Sequence, residues 1–225
     1  MEFSSPLRLN KFVARATGMS RRAADDAIAQ KRVRINAQLA EQGALASSAD
    51  LVTLDGKQIQ LQTTQTILFN KPVGYVVSRD GQGSKTIYDL LPKELHHLKP
   101  VGRLDKDSSG LLLLTNDGTL ADGLTHPRNQ KTKQYQISLD APLAPLHRQM
   151  ISDFGIQLAD GPSKLQLERL QDGDDTQWAV TMHEGRNRQI RRTFEALGYS
   201  VTKLHRTHFG PYTLNKLASG KYTSV

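Results

Sequence analysis

The chain has 225 residues, of which 37% are hydrophobic and 23% charged, and this is typical of a globular protein with one large domain or two smaller ones. It contains no cysteine, so disulfides and thiolate metal sites are excluded. No apolar run approaches the ~18 residues of a membrane span, and the N-terminus lacks the basic-then-apolar build of a secretory signal. We therefore expect a cytoplasmic protein without a membrane segment.

The net charge of +8 favours a polyanionic partner. Positive charge is concentrated in two segments, and solvated surface charge is the alternative explanation for them. The first segment, 8–34, carries Arg8, Lys11, Arg15, Arg21, Arg22, Lys31, Arg32 and Arg34. The second segment, 184–206, carries Arg186, Arg188, Arg191, Arg192, Lys203 and Arg206. Two basic clusters far apart in the chain predict two contacts with one long anion.

Residues 1–64 predict a first domain that begins with two helices. Apolar side chains recur at helical spacing from Leu9 to Ala16, and Gly18 is placed to end that helix. Ser20 is the predicted N-cap of the second helix.

The same domain is predicted to continue in extended structure. Alternating apolar and basic residues predict a short strand at 33–35. The Asp55-Gly56 pair predicts the tight turn of a hairpin over 51–61. The polar residues 62–66 then predict a linker between two domains.

Residues 66–225 predict a second domain in which strands and helices alternate irregularly. Extended segments are predicted at 67–69, 75–77, 111–115, 133–139, 165–170 and 177–182. Helices are predicted at 86–91 and 187–197. This mixture favours a sheet-centred α+β domain over regular βαβ winding.

The most informative segment is 101–118, in which a short polar loop precedes a fully apolar run. The four consecutive leucines 111–114 predict a buried strand, and a rigid strand can hold a reactive carboxylate in place. Loop aspartates are usually turn formers or caps, so Asp105 and Asp107 are only candidates on this ground. Asp117 lies in an Asn-Asp-Gly turn and is expected to be structural.

The motif Gly-Arg-Leu-Asp followed by Ser-Gly-Leu-Leu-Leu-Leu-Thr-Asn-Asp-Gly resembles the catalytic-aspartate loop of the RsuA-type ribosomal RNA pseudouridine synthases. The resemblance extends along nearly the whole chain. It implies that Asp105, directly after Gly-Arg-Leu, is the reactive carboxylate. It also implies a catalytic domain at 66–225 built on a mixed, largely antiparallel sheet flanked by helices. Ser108 stands where relatives often have threonine, which keeps the hydroxyl.

The N-terminal pattern Arg-Leu-Asn-Lys-Phe-Val-Ala, Gly-Met-Ser-Arg-Arg-Ala-Ala and Lys-Arg-Val-Arg-Ile-Asn resembles the RNA-binding module named after ribosomal protein S4. The resemblance implies that residues 1–64 bind RNA through the basic side chains of 8–34. Such modules occur in several RNA-handling proteins, so this pattern indicates RNA binding without indicating an activity.

Tyr135 and Arg191 complete the implied active site. Tyr135 alternates with Ile137 and Leu139 on one face of a strand, so its periodicity alone favours a core tyrosine. The resemblance implies instead that it stacks on the target base. The Gln-Ile-Arg sequence at 189–191 resembles the motif whose arginine pairs with the catalytic aspartate. That arginine is Arg191, and the alternative is Arg192.

Other motif residues receive expected roles in RNA contact or in structure. Arg186, Arg188 and Arg192 remain for RNA phosphates, and Arg103 is expected to contact the RNA backbone. The sequence Lys-Pro-Val-Gly at 71–74 matches a family motif that is expected to shape a turn beside the cleft.

The implied activity is conversion of a specific uridine in ribosomal RNA to pseudouridine, with large-subunit RNA slightly favoured. The seven histidines show no paired metal-ligand spacing and no phosphate-cradling glycine loop is present, so neither a metal nor a nucleotide cofactor is expected. The expected partner of the monomer is ribosomal RNA or a pre-ribosomal particle. The role of Asp105 as nucleophile or base stays open. The alternatives are a non-catalytic ribosome-assembly factor, a hydrolase using Asp105 with Asp107, and additional action on transfer RNA.

Overall fold

The structure, a computed structural model, describes residues 6–225 and divides into two compact units, one ending at Gln65 and one running from Thr66 to Val225. The first five residues of the predicted N-terminal domain lie outside the described residues. Helices and strands occur in both units, which confirms the α+β class. None of the helices in residues 6–225 combines the length and apolar character needed to cross a membrane.

The first unit consists of two helices and two small sheets. Its elements are β1 (Leu7–Arg8), α1 (Leu9–Thr17), α2 (Arg21–Ala29), β2 (Val33–Ile35), β3 (Gln38–Leu39), β4 (Leu45–Ala46), β5 (Val52–Leu54) and β6 (Lys57–Gln58). Strand β1 pairs with β4, and the other four strands form a sheet in the order β3-β2-β5-β6.

The local signals predicted for this unit are confirmed. Gly18 ends α1 with a left-handed backbone at φ 79°. The Ser20 hydroxyl accepts a hydrogen bond from the Ala23 N–H at 3.0 Å, as an N-cap does. Asp55 and Gly56 both have positive φ, which is the conformation of the tight hairpin turn that joins β5 to β6. The two helices and the sheet enclose one small apolar core.

The second unit is built on a nine-stranded sheet. Its strands are β7 (Thr66–Lys71), β8 (Lys99–Val101), β9 (Ser109–Thr115), β10 (Lys133–Leu139), β13 (Gln166–Arg169), β14 (Gln177–Met182), β15 (Val201–Phe209), β16 (Tyr212–Thr213) and β17 (Tyr222–Ser224), and a separate hairpin consists of β11 (Ile156–Leu158) and β12 (Gly161–Ser163). Its α-helices are α3 (Gly118–Thr125), α4 (Pro145–Gln149) and α5 (Gln189–Glu195).

The sheet has the strand order β13-β14-β10-β15-β9-β7-β17, with β8 on β9 and β16 on β15. Its pairs are antiparallel except β9 with β15, which run parallel. Alternate residues of β9 belong to two different apolar clusters, since Leu112 and Leu114 lie in one and Leu111 and Leu113 in the other. Because neighbouring side chains of a strand point to opposite faces, β9 is covered on both faces and holds the loop before it rigidly.

Some predicted elements differ in the structure. The extended segment 75–77 is reduced to one bridge between Val76 and Thr86. The predicted helix 187–197 is shorter, because Arg188 has a left-handed backbone at φ 46° immediately before α5. Strand β15 was not predicted, because charged residues interrupt its apolar pattern, yet it lies near the middle of the sheet.

Candidate active site

The loop between β8 and β9 carries Asp105, whose side chain is 38% exposed. The Ser108 N–H donates to the Asp105 carbonyl at 3.1 Å and closes a turn within the loop. Leu104, directly before the aspartate, is buried in the main apolar core. The carboxylate is therefore accessible while the backbone on both sides of it is anchored.

Lys71, at the end of β7, anchors the backbone of this loop from the protein interior. Its side chain is fully buried, and its Nζ donates to the carbonyl oxygens of Asp105 at 2.9 Å, Ser108 at 2.7 Å and Pro72 at 3.0 Å. Burial lowers the pKa of Lys71 to about 8, although the negative charges of Asp105 and Asp107 oppose that change. Sequence reasoning assigned this segment only a turn-forming role. The signal it missed was a lysine that directly continues a buried strand.

The ion pair to Asp105 comes from Arg188, whose Nη1 lies 3.6 Å from Asp105 Oδ2. The same guanidinium donates to both carboxylate oxygens of Asp107, at 3.2 and 3.1 Å. Arg191 also binds Asp107, with its Nε 3.2 Å from the carboxylate and its Nη2 donating to the carbonyl at 3.0 Å. The sequence predicted Arg191 as the partner of Asp105 and Arg188 as an RNA contact. The structure corrects this: Arg188 meets Asp105, and Arg191 braces the loop through Asp107.

Asp107 is therefore the centre of the charge cluster. Partial burial opposes its ionisation, but the hydrogen bond from Arg188 and the charges of Arg191 and Arg188 outweigh this and hold the pKa of Asp107 below its usual value. Arg191 is further fixed by a hydrogen bond from its Nη1 to the Val201 carbonyl. The two aspartates and two arginines form one connected network at the mouth of the loop.

The segment before α5 is held by the β11–β12 hairpin. Arg186 donates through Nη1 to the backbone and carboxylate of Asp160 and to the Gly161 carbonyl, and through Nη2 to Pro162 and Glu184. Arg192 donates to both carboxylate oxygens of Asp160, at 3.1 and 2.8 Å. Most donors of Arg186 and Arg192 are thus engaged within the chain, and RNA-phosphate binding by these two arginines stays a prediction.

A buried polar network completes the support of this segment. Gln189 Nε2 donates to the Ser163 hydroxyl at 3.0 Å, and Thr193 Oγ1 donates to the same hydroxyl at 2.7 Å. The Arg186 N–H donates to Gln189 Oε1 at 3.2 Å. Both turns of α5 are thus attached to β12, and these attachments fix the position of Arg188, directly before the helix.

Tyr135 is buried on β10, where it pairs with Arg206 of β15. Arg206 in turn pairs with Gly110, the second residue of β9. Tyr135 is therefore two strands, or about 10 Å of backbone spacing, from the start of the strand that follows Asp105. Arg206 is 2% exposed and its Nε donates to the Leu111 carbonyl at 2.8 Å. This buried arginine corrects its assignment to a surface cluster.

The remaining predicted RNA contacts lie at the surface or partly beneath it. Arg8, Arg21, Arg22, Lys31, Arg32 and Arg34 of the first unit are exposed, Lys11 and Arg15 are half-buried, and Arg103 of the second unit is exposed. Arg32 is engaged by Asp55 at 2.7 and 2.5 Å. Asp117 caps α3 by accepting from the Thr119 N–H at 2.8 Å, which confirms its structural role. Within the described part of the chain, no group of three or more His, Asp or Glu side chains could hold a metal ion.

Comparison with known proteins identifies the family. Residues 65–196 match the model of the RNA pseudouridylate synthase family. Over 95% of its length the chain is 36% identical to ribosomal large subunit pseudouridine synthase B of Bacillus subtilis, covering 89% of that protein. Over 97% it is 34% identical to ribosomal small subunit pseudouridine synthase A of Pasteurella multocida, covering 96% of that protein.

A solved structure shares both the sequence and the fold. A crystal structure of a pseudouridylate synthase superimposes with a TM-score of 0.70 at 34% identity, covering 97% of this chain and 96% of that one. The chain therefore belongs to the RNA pseudouridine synthase family, in the group that contains synthases A and B.

Proposed function

We propose that this protein converts a uridine of ribosomal RNA to pseudouridine, with Asp105 as the reacting carboxylate. The observation that carries the proposal is Asp105 itself, an accessible carboxylate on a loop pinned by Lys71 and paired with Arg188 at 3.6 Å. The names of the relatives, which are synthases of large- and small-subunit ribosomal RNA, support the substrate class. Of the two subunits we favour the large one, as the sequence did.

The chemistry explains why one ionised carboxylate is enough. The bond between C1′ and N1 of the uridine breaks, the base turns and C5 joins C1′. C5 then loses its proton, and N1, released from the sugar, gains one. Atoms and electrons balance without an external oxidant or energy source. The guanidinium of Arg188, 3.6 Å from Asp105, helps to orient the carboxylate. Lys71 contributes by holding the carbonyl of the same residue.

The target uridine must leave its helical stack before it can meet Asp105. Extruding a base costs a few kcal/mol, and stacking on an aromatic side chain contributes roughly 1–3 kcal/mol per base. We assign that stacking to Tyr135, because the strand register places it level with the start of β9, two strands away from the strand that follows the Asp105 loop. The magnitude is sufficient to offset much of the cost.

We assign RNA binding to the S4-like first unit and to the exposed Arg103. The exposed side chains of residues 8–34 suit phosphate binding, which makes RNA affinity fall steeply with salt. We expect the logarithm of affinity to decrease linearly with the logarithm of salt concentration. Substituting Arg21 and Arg22 by alanine reduces that slope by about one for each phosphate that the protein no longer neutralises.

The deciding experiment compares the wild type with Asp105→Asn. The substrate is total ribosomal RNA from a strain lacking the gene, labelled with uridine tritiated at C5, because isomerisation releases that hydrogen. We expect tritium release by the wild type and none by Asp105→Asn, with unchanged RNA affinity. Asp172→Asn, an exposed residue between β13 and β14, is the matched control and keeps full activity.

Each alternative predicts a different result. Tight RNA binding without tritium release by the wild type identifies a non-catalytic assembly factor. Release of free uracil identifies a hydrolase, and tritium release from a separate transfer RNA fraction extends the substrate range. Mapping the pseudouridines that disappear from each ribosomal subunit in the deletion strain identifies the subunit and the uridine.

A further inference from the structure

A carboxylate that the proposed chemistry does not use lies between the two arginines of the site. Asp107 binds Arg188 through both oxygens, at 3.2 and 3.1 Å, while the distance from Arg188 to Asp105 is longer, at 3.6 Å. The two aspartates therefore share one guanidinium, and Asp107 makes the shorter contacts with it. A bidentate pair of this kind fixes the plane of the guanidinium as well as its position.

The backbone of Arg188 makes this pairing more than an ordinary surface ion pair. Arg188 has φ 46° and ψ 30°, a left-handed conformation that is costly for a side chain of this size. On one side the segment is pinned by Arg186 to Asp160, and on the other by Gln189 to Ser163. These hydrogen bonds fix the backbone of Arg188 but leave its long side chain free to rotate, so a separate group must orient it.

Asp107 is attached rigidly enough to do this. The Nη2 of Arg191 donates to the Asp107 carbonyl at 3.0 Å, and the Nε of Arg191 lies 3.2 Å from its carboxylate. Arg191 is itself bonded to the Val201 carbonyl and is 12% exposed. The chain of interactions runs from the core through Arg191 and Asp107 to Arg188, and ends at Asp105.

We infer that Asp107 is a positioning residue for the reaction: it orients Arg188 beside Asp105 and keeps Arg188 from closing fully onto that carboxylate. The inference rests on the proposed role of Asp105. A fully engaged guanidinium would stabilise the resting carboxylate and reduce its reactivity, whereas an unoriented one would leave it unpaired. Because Asp107 also binds Arg188, the guanidinium stays beside Asp105 without engaging its carboxylate fully.

The test is a double-mutant cycle between Asp107→Asn and Arg188→Lys, with single-turnover rate and RNA dissociation constant measured separately. Asp107→Asn lowers the single-turnover rate about tenfold without weakening RNA binding, because Arg188 loses the group that orients it beside Asp105. Arg188→Lys removes the planar fork that Asp107 orients. Adding Asp107→Asn to Arg188→Lys then produces no further decrease, because the effect of Asp107 is transmitted through that fork.

Two controls separate this inference from the alternatives. Asp107→Glu, which keeps the charge on a longer side chain, retains an intermediate rate, and Asp172→Asn stays at the wild-type rate. An unchanged rate in Asp107→Asn, equal decreases in rate and affinity, or additive decreases in the double variant would each overturn the inference. None of these results affects the proposed function, which fails if the wild type releases no tritium or if Asp105→Asn still releases it.

Discussion

Replacing Lys71 by methionine tests whether the loop must be pinned for the reaction to occur. Methionine fills much the same volume but cannot donate hydrogen bonds to the carbonyls of Asp105, Ser108 and Pro72. Because the loop then loses its fixed position relative to Arg188, we expect the catalytic rate to fall at least about tenfold. RNA affinity remains unchanged, since the lysine is fully buried and cannot reach RNA.

The effect on stability is smaller, because two large contributions oppose each other. Three hydrogen bonds from a charged donor contribute about 1.5 kcal/mol each, or about 4.5 kcal/mol in all. The pKa of Lys71 falls from 10.5 to about 8, and at about 1.36 kcal/mol per pH unit this net shift corresponds to a cost of about 3.4 kcal/mol. We therefore expect Lys71→Met to lower the free energy of unfolding by only about 1 kcal/mol.

The assay combines kinetics with denaturant unfolding at several pH values. Because the pKa of Lys71 is lower in the folded state than in the unfolded state, the unfolded chain holds more protons between about pH 8 and 10.5. Over that range the wild type gains stability relative to Lys71→Met as the pH rises. Lys93→Met, at an exposed lysine, controls for removal of the charge. A rate equal to that of the wild type in Lys71→Met, or a stability difference independent of pH, would refute the reasoning.

Three further substitutions, one of them with a control variant, test how the fold is stabilised. Gly110→Ala would place a Cβ 2.2 Å from a backbone oxygen of the neighbouring strand, at a residue with φ 106°. We expect it to lower the free energy of unfolding, measured with denaturant, by about 3 kcal/mol. The control Gly123→Ala, at a helical position with open space around it, is neutral or stabilising. Ser20→Ala removes an N-cap and costs about 1 kcal/mol of unfolding free energy in the first unit; no change would contradict the capping role. The hydrogen bond from Arg192 lowers the pKa of Asp160, so Asp160→Asn lowers the melting temperature at neutral pH and has no effect once acid has protonated that carboxylate. Equal effects at both pH values would show that these arginines do not stabilise the fold through charge.

Local sequence signals were reliable where short-range physics decides the structure. Gly18 and Ser20 ended and began helices as predicted, because a positive φ and a side-chain cap depend on neighbouring residues only. Strands β10 and β14 have the predicted bounds, since alternating apolar residues reflect the two faces of one sheet. Strand β15 was missed because its buried positions include Arg206, whose partner is a carbonyl of another strand.

The segments predicted to form the candidate site lie together in the structure, but the pairing of their side chains differs from the prediction. The motif singled out Asp105 and the segment 186–192, and the structure brings the two together. It pairs Arg188 with Asp105, whereas the motif indicated Arg191. A sequence motif does not show in which direction the side chain of each arginine in a segment points. Only the structure distinguishes Arg188 from Arg191 in this respect.

By itself the sequence determined the α+β class, the family, the loop that carries Asp105 and the basic character of both ends, because these follow from periodicity, motifs and charge along the chain. The tertiary structure decided that Lys71 lies beneath the loop, that Arg188 is shared between Asp105 and Asp107, and that Asp160 engages two arginines. These interactions join residues far apart in the chain, and they depend on how the strands and α5 pack. Spacing along a sequence does not specify such packing. Only the tertiary structure therefore shows which carboxylate each arginine binds.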